Sequence, residues 1–216
     1  MLYRLSISCL AAEGILLKSV LLWSLLGFLL GSIPFSYWSG RLLLKTDVRQ
    51  YGDGNPGGAN AWRAGGWRIG LVAIFLDIAK GLLPVVLARS YGVADWGLVP
   101  VALAPVLGHA FTPFLGFHGG KALAATGGVW LGLIGVEAPL FFAGFTLGAL
   151  VLQTEHAWTG IAGMTGLLLY FLVQHSPPYL IVIAGFNLLV LVWKHLKELR
   201  QPLQLRPWVT NLFARR

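Results

Sequence analysis

The 216-residue chain reads as an all-α, polytopic membrane protein of about seven transmembrane helices, and three observations predict this. Hydrophobic residues make up 56% of it and charged residues 11%, against about 25% charged in a soluble domain, and mean hydropathy is +0.73. Apolar stretches of membrane-helix length recur from end to end. The basic residues, 16 Lys and Arg against 8 Asp and Glu, cluster so that they sort onto one side of such a bundle. Soluble enzymes and DNA-binding domains are excluded, and no nucleic-acid partner is expected. The single Cys9 excludes an intrachain disulfide framework and a thiolate metal cluster.

A hydrocarbon core about 30 Å thick needs roughly 20 apolar helical residues, fewer where neighbouring helices shelter the ends. Seven spans meet this need: Ser19 to Leu44, Ile69 to Ala88, Gly97 to Phe117, Ala122 to Val136, Ala138 to Leu152, Ala157 to Val173 and Tyr179 to Trp193. The fourth and fifth are short and separated only by Glu137, so a helical hairpin or re-entrant pair is the alternative there. Glu13 interrupts the first twenty residues and no small-residue cleavage pattern follows, which argues against a cleaved signal peptide.

With seven spans, Arg41, Lys45, Arg49, Arg63, Arg68, Lys121, Lys194, Lys197, Arg200, Arg206, Arg215 and Arg216 share one side. Arg4, Lys18 and Arg89 fall on the other. The positive-inside rule makes the larger group cytoplasmic, with the N-terminus outside and the C-terminus inside. Residues 1–200 are expected to form one integral membrane domain and 201–216 a basic cytoplasmic tail.

The longest polar stretch, Lys45 to Arg68, has the chemistry of a loop. Tyr51 to Asn60 packs four glycines and a proline into ten residues, and such a chain can turn its N–H groups toward an anion. Gly52, Gly54 and Gly57 supply the freedom, Asn55 and Asn60 add amide donors, and Arg63 adds a planar fork suited to phosphate. A plain membrane-surface turn is the other reading. A second loop, Phe117-His118-Gly119-Gly120-Lys121, opens the fourth span, where free N–H groups and the helix dipole favour an anion. It lacks the spacing and the Ser or Thr of a Walker A loop. Two basic Gly-rich loops on one face suggest a ligand with one or two phosphates.

Within the spans, Asp77 and Lys80 stand at i, i+3 and can pair, which limits the cost of placing charge in a bilayer; Asp77 could instead orient a loop arginine. His109, on an apolar helix, is read as a satisfied core histidine. His195 is the better general-base candidate, because it lies at the same end as both loops. His118, His156 and His175 form no ligand spacing with Cys, Asp or Glu, so no metal is expected.

Five segments in order resemble the bacterial acyl-phosphate:glycerol-3-phosphate acyltransferases, integral membrane enzymes of phospholipid synthesis, over roughly Leu21 to Arg200. Gly31-Ser-Ile-Pro-Phe35 is similar to the family's first-span signature, Gly52 to Asn60 through Arg63 to its first motif, and Asp77-Ile-Ala-Lys-Gly81 to its second-span pattern. Gly108-His-Ala-Phe111 and Gly119-Gly-Lys121 resemble its glycine-lysine loop. The resemblance implies acyl transfer from acyl phosphate to glycerol 3-phosphate in the bacterial inner membrane, giving lysophosphatidic acid and phosphate, with no cofactor and no metal. It implies catalytic roles for His195, Arg63, Lys121 and the residue at Asp53, and substrate contacts at Gly52, Gly54, Asn55, Gly57, Asn60, Gly119 and Gly120. The chain departs from the family where Asp53 replaces a serine and Glu198 an asparagine, at His118 and Ala122 beside Gly-Gly-Lys, and at Gly160 and Gly163 where serines are usual. A carboxylate about 4 Å from a phosphate opposes it by roughly 4 kcal/mol at an effective dielectric near 20, so Asp53 and Glu198 are expected either to be paired with Arg63, Lys121 or another lysine or to act on the acceptor hydroxyl. Two other readings stay open: a member that binds a phospholipid precursor without turnover, and a small-anion transporter.

Overall fold

The computed structural model describes the backbone of residues 2–214 and the side chains of residues 14–211. Arg215 and Arg216 lie outside the described residues, as do the side chains of Arg4 and Cys9. The helices are α1 (Leu2–Ser32), α2 (Phe35–Leu43), α3 (Gly58–Ser90), α4 (Leu98–Ala110), α5 (Leu123–Ile134), α6 (Glu137–Leu152), α7 (His156–Val173), α8 (Pro178–Lys194), α9 (Leu196–Leu199) and α10 (Pro207–Ala214). The only bridge of strand type among the described residues is the isolated pair Gln153 and Leu205.

Four helical units are long and apolar enough to cross a membrane, and α5, α6 and α8 are shorter apolar helices, which makes seven. Their outer faces carry Leu21, Leu25, Phe75, Leu140, Leu147, Leu169 and Leu189 exposed, as a lipid-facing surface requires. Because lipid is as apolar as leucine, close backbone packing rather than hydrophobic exclusion joins such helices. A Cβ on Gly81 would meet the Ala125 carbonyl, and one on Gly128 the Ile78 carbonyl, so α3 and α5 cross at backbone contact. Gly31 and Gly108 do the same for α1 and α4. Trp130, Met164, Phe171, Ile183 and Leu191 fill the core between them.

Three boundaries differ from the hydropathy reading. The first span is broken at Ile33-Pro34, because proline cannot donate to the preceding turn. The second helix begins at Gly58, eleven residues before Ile69; Gly66, with φ 75°, absorbs a kink inside it, so the glycine-rich stretch ends in helix after all. The third helix stops at Ala110, and Thr112 caps a 3-10 turn over Pro113–Leu115. The fourth and fifth spans are separate helices joined at Gly135, whose φ is 78°. At 12 residues, α5 rises about 18 Å, and Gly119 and Gly120 of the loop before it are buried against His109 and Ala110.

Part of the expected tail folds back. Arg206 N–H donates to the Leu152 carbonyl, its Nε to that of Leu150, and Thr154 N–H to that of Gln204.

Charge sorting places the loop between α2 and α3 on the cytoplasmic side. In a Cys9→Ser background, Lys45→Cys should react with a membrane-impermeant maleimide only after the cells are opened; labelling in intact cells would invert the topology.

Candidate active site

A buried ionic node sets the floor of the site. Asp77 and Lys80, 2% and 4% exposed, pair at 2.7 Å. Lys80 also donates at 2.8 Å to the Ile33 carbonyl at the break before Pro34, which accepts from the Phe35 N–H as well, and Ser36 donates to Asp77 at 2.8 Å. His109 Nδ1 lies 3.6 Å from the same carboxylate. One pair therefore ties α1, α2, α3 and α4 together, and Asp77 orients no arginine.

His109 leads to the second glycine loop. Its ring lies where a Cβ of Gly120 would stand, and the amides of Gly119 and Gly120 donate to the carbonyls of Ala110 and His109 at 3.2 and 3.1 Å. This corrects the sequence reading: those two N–H groups close α4 and are not free for an anion. The amides at this end that have no helical partner are instead those of Gly58 and Ala59 in α3 and Leu123 and Ala124 in α5. Gly58, Ala59, Leu123 and Ala124 line a cavity of about 120 Å³ with Asp53, Asn55, Asn60, His109 and Lys121. Two helix N-termini thus converge on a space of phosphate dimensions.

The first glycine loop folds over this nook. Gly52 and Gly54 have φ of 57° and 77°, and Gly57 caps α3. Arg63 donates to Asn60 Oδ1 at 2.7 Å, and the Asn60 amide donates to Asp53 Oδ1 at 2.8 Å and to the Asn55 carbonyl at 2.9 Å. The relay ends at Lys121, whose Nζ lies 2.7 Å from Asp53 and 2.8 Å from Glu198. The acidic departures thus share one lysine, and Arg63 reaches Asp53 only through Asn60. Burial pushes both carboxylates upward, but hydrogen bonding and charge from Lys121 prevail and hold them below their ordinary values.

Two larger cavities flank this clamp. One, of about 490 Å³, is lined by Arg49, His118, Lys194 and Lys197 with Asp53, Lys121 and Glu198. The other, of about 630 Å³, has an apolar wall of Trp62, Ile74 and Leu123 and a polar end of Arg63, Glu155, His156 and His195 with the same three clamp residues. Asp53 and Lys121 line all three spaces. His195, 2% exposed, has Nδ1 2.8 Å from the Leu191 carbonyl, which leaves Nε2 as the basic nitrogen. Burial, joined by the nearby Lys121 charge, lowers its pKa, so the ring is neutral.

Lys194 escaped the sequence reading as a site residue. It donates to the carbonyls of Ala110 and Gly119 at 2.9 and 3.0 Å and so pins the glycine loop to α8; its place beside His195 was the available signal. Glu155 and Trp62 carried none. His118, exposed, turns to the Gly116 carbonyl, and His175 lies in the α7–α8 turn, away from the clamp.

An integral membrane bundle that gathers two helix N-termini, glycine loops and a lysine at one end is a membrane-embedded protein built to handle phosphate. The chain belongs to the glycerol-3-phosphate acyltransferase family, whose sequence profile matches residues 21–204. It is 35% identical over 192 residues to glycerol-3-phosphate acyltransferase 1 of Thermotoga maritima, covering 82% of this chain and 94% of that protein. To the enzyme of Synechococcus sp. it is 36% identical over 184 residues, covering 83% and 89%. The crystal structure of PlsY (YgiH), an integral membrane glycerol 3-phosphate acyltransferase, superposes in its glycerol 3-phosphate form with a TM-score of 0.78 at 31% identity, over 84% of this chain and 90% of that one.

The clamp makes stability depend on pH. Carboxylates with lowered folded pKa values stabilise fully above their unfolded values, about 3.9 and 4.3, and lose that contribution as pH falls through the lowered ones. Lys121→Met should therefore reduce stability by about 1 kcal/mol at pH 7, given the partial solvent screening. In thermal unfolding of detergent-solubilised protein, its gap from the parent chain should close below about pH 4.

Proposed function

We propose that the chain transfers a fatty acyl group from acyl phosphate to the sn-1 hydroxyl of glycerol 3-phosphate, releasing phosphate and lysophosphatidic acid, at the cytoplasmic face of the bacterial inner membrane. Family membership supports this, and the observation that carries it is the position of Lys121, at the junction of the helix-terminus nook and both cavities. Residues 1–200 form the catalytic unit in this reading.

Acyl phosphate is a mixed anhydride already activated at its carbonyl, so the protein has to hold phosphates together and align a hydroxyl. The donor phosphate occupies the nook between α3 and α5, with its tail along the apolar wall. The acceptor phosphate lies in the basic cavity near Lys194 and Lys197. His195 Nε2 takes the hydroxyl proton as the hydroxyl oxygen bonds to the carbonyl carbon. The carbon–oxygen bond to phosphate then breaks, and phosphate leaves with the electron pair. No acyl-enzyme forms, and Lys121 exchanges carboxylate for phosphate oxygen as substrate enters.

Purified protein given palmitoyl phosphate and radiolabelled glycerol 3-phosphate should form labelled lysophosphatidic acid. Lys121→Ala should lower kcat/KM roughly tenfold to more than a hundredfold, from the loss of a charge-assisted contact. Absence of labelled product from the folded, membrane-inserted parent chain would sink the reading in favour of a non-catalytic binder.

A further inference from the structure

The larger cavity carries an inference that rests on acyl phosphate as donor and concerns the acceptor. Its lining presents two permanent cations, Arg63 and Lys121, to three carboxylates, Asp53, Glu155 and Glu198; the neighbouring basic cavity presents four cations, Arg49, Lys121, Lys194 and Lys197, to two carboxylates. Discounting Arg49 for its 2.7 Å pair with Asp47 leaves the basic cavity cationic. Lys121, shared by both, is already spanned by Asp53 and Glu198. With carboxylates outnumbering cations in its lining, the larger cavity repels an anion at its polar end. Carboxylate oxygens are acceptors only, and vicinal hydroxyls are the donors that match them without adding charge.

We propose that Asp53 and Glu198 are specificity-determining residues that let an uncharged polyol of glycerol size enter by the larger cavity and accept the acyl group, alongside glycerol 3-phosphate entering by the basic one. A hydroxyl oxygen of the polyol bonds to the acyl carbonyl carbon, its proton passes to His195 Nε2, and the bond to phosphate breaks as in the parent reaction. The products are a neutral monoacylglycerol and phosphate. An uncharged acceptor adds no second anion to compete with Asp53 and Glu198 for Lys121.

The test gives the purified protein palmitoyl phosphate with labelled glycerol, and separately with labelled glycerol 3-phosphate. Labelled monoacylglycerol is expected from the parent chain. In Asp53→Asn/Glu198→Gln the ratio of kcat/KM for glycerol to that for glycerol 3-phosphate should fall at least about tenfold, since carboxylate contacts to hydroxyls are lost while repulsion of the phosphate is relieved. Lysophosphatidic acid without monoacylglycerol from the parent chain overturns the inference and leaves the acyltransferase reading intact. So does an unchanged ratio in the double variant or in Glu198→Gln alone. Neither product from a folded, membrane-inserted chain overturns both.

Discussion

The buried Asp77–Lys80 pair is the constraint from which the remaining geometry follows. An apolar bundle in lipid cannot carry isolated charges, and removing one partner of such a pair typically costs about 3–5 kcal/mol because the other is left uncompensated. Here the pair also takes up the Ile33 carbonyl at the Pro34 break and the hydroxyl of Ser36, so the interruption of the first span is tied to the ions of the second. His109 packs against the same carboxylate on one side and against Gly120 on the other. The position of the glycine loop, and of Lys121 at its end, is thereby set by an interaction buried in the bundle.

Lys121 is where this rigid floor meets exchangeable ligands. Its two carboxylates are partly exposed, with side-chain accessibilities of 35% and 32%, so each contact is worth little and can be replaced. The helix-terminus amides are different: they are fixed by backbone geometry and need no rearrangement when an anion arrives. The site therefore combines a preorganised part, which can hold a phosphate whatever the clamp does, with a switchable part that sets how much net charge each cavity tolerates.

Much of this was legible in the sequence, for identifiable reasons. Hydropathy finds seven apolar units because lipid selects composition over length, and charge sorting brings Arg63, Lys121 and His195 to one end because loops between alternate spans must share a side. That Asp53 and Glu198 need a cation follows from electrostatics, but the choice of Lys121 over Arg63 is visible only in the fold. Boundaries were less visible. Gly58 to Arg68 looks like loop by composition, yet helix is possible there because a single positive-φ residue, Gly66, concentrates the bend. The amides of Gly119 and Gly120 were expected to be free, but whether an N–H is free depends on where the carbonyls of α4 end, a tertiary fact. Lys194 looked like one more interfacial charge, and only the fold shows that its ammonium is bonded to two carbonyls of a distant loop.

The shortness of α5 connects the fold to the chemistry. A helix of 12 residues covers little more than half of a hydrocarbon core about 30 Å thick, and its backbone is tolerated at that depth because α3 packs against it and the glycine loop closes its N-terminal side. In the proposed reaction the N-terminal end of α5 meets the donor phosphate, and an acyl carbonyl reaches it if the tail stays among the apolar helices. A longer helix would raise the phosphate toward water and separate it from the carbonyl. Sinking the helix terminus lets one substrate keep its tail in an apolar medium and its phosphate against peptide amides. In the proposed reaction, fixed dipoles in surroundings of low dielectric would act most strongly on the leaving phosphate.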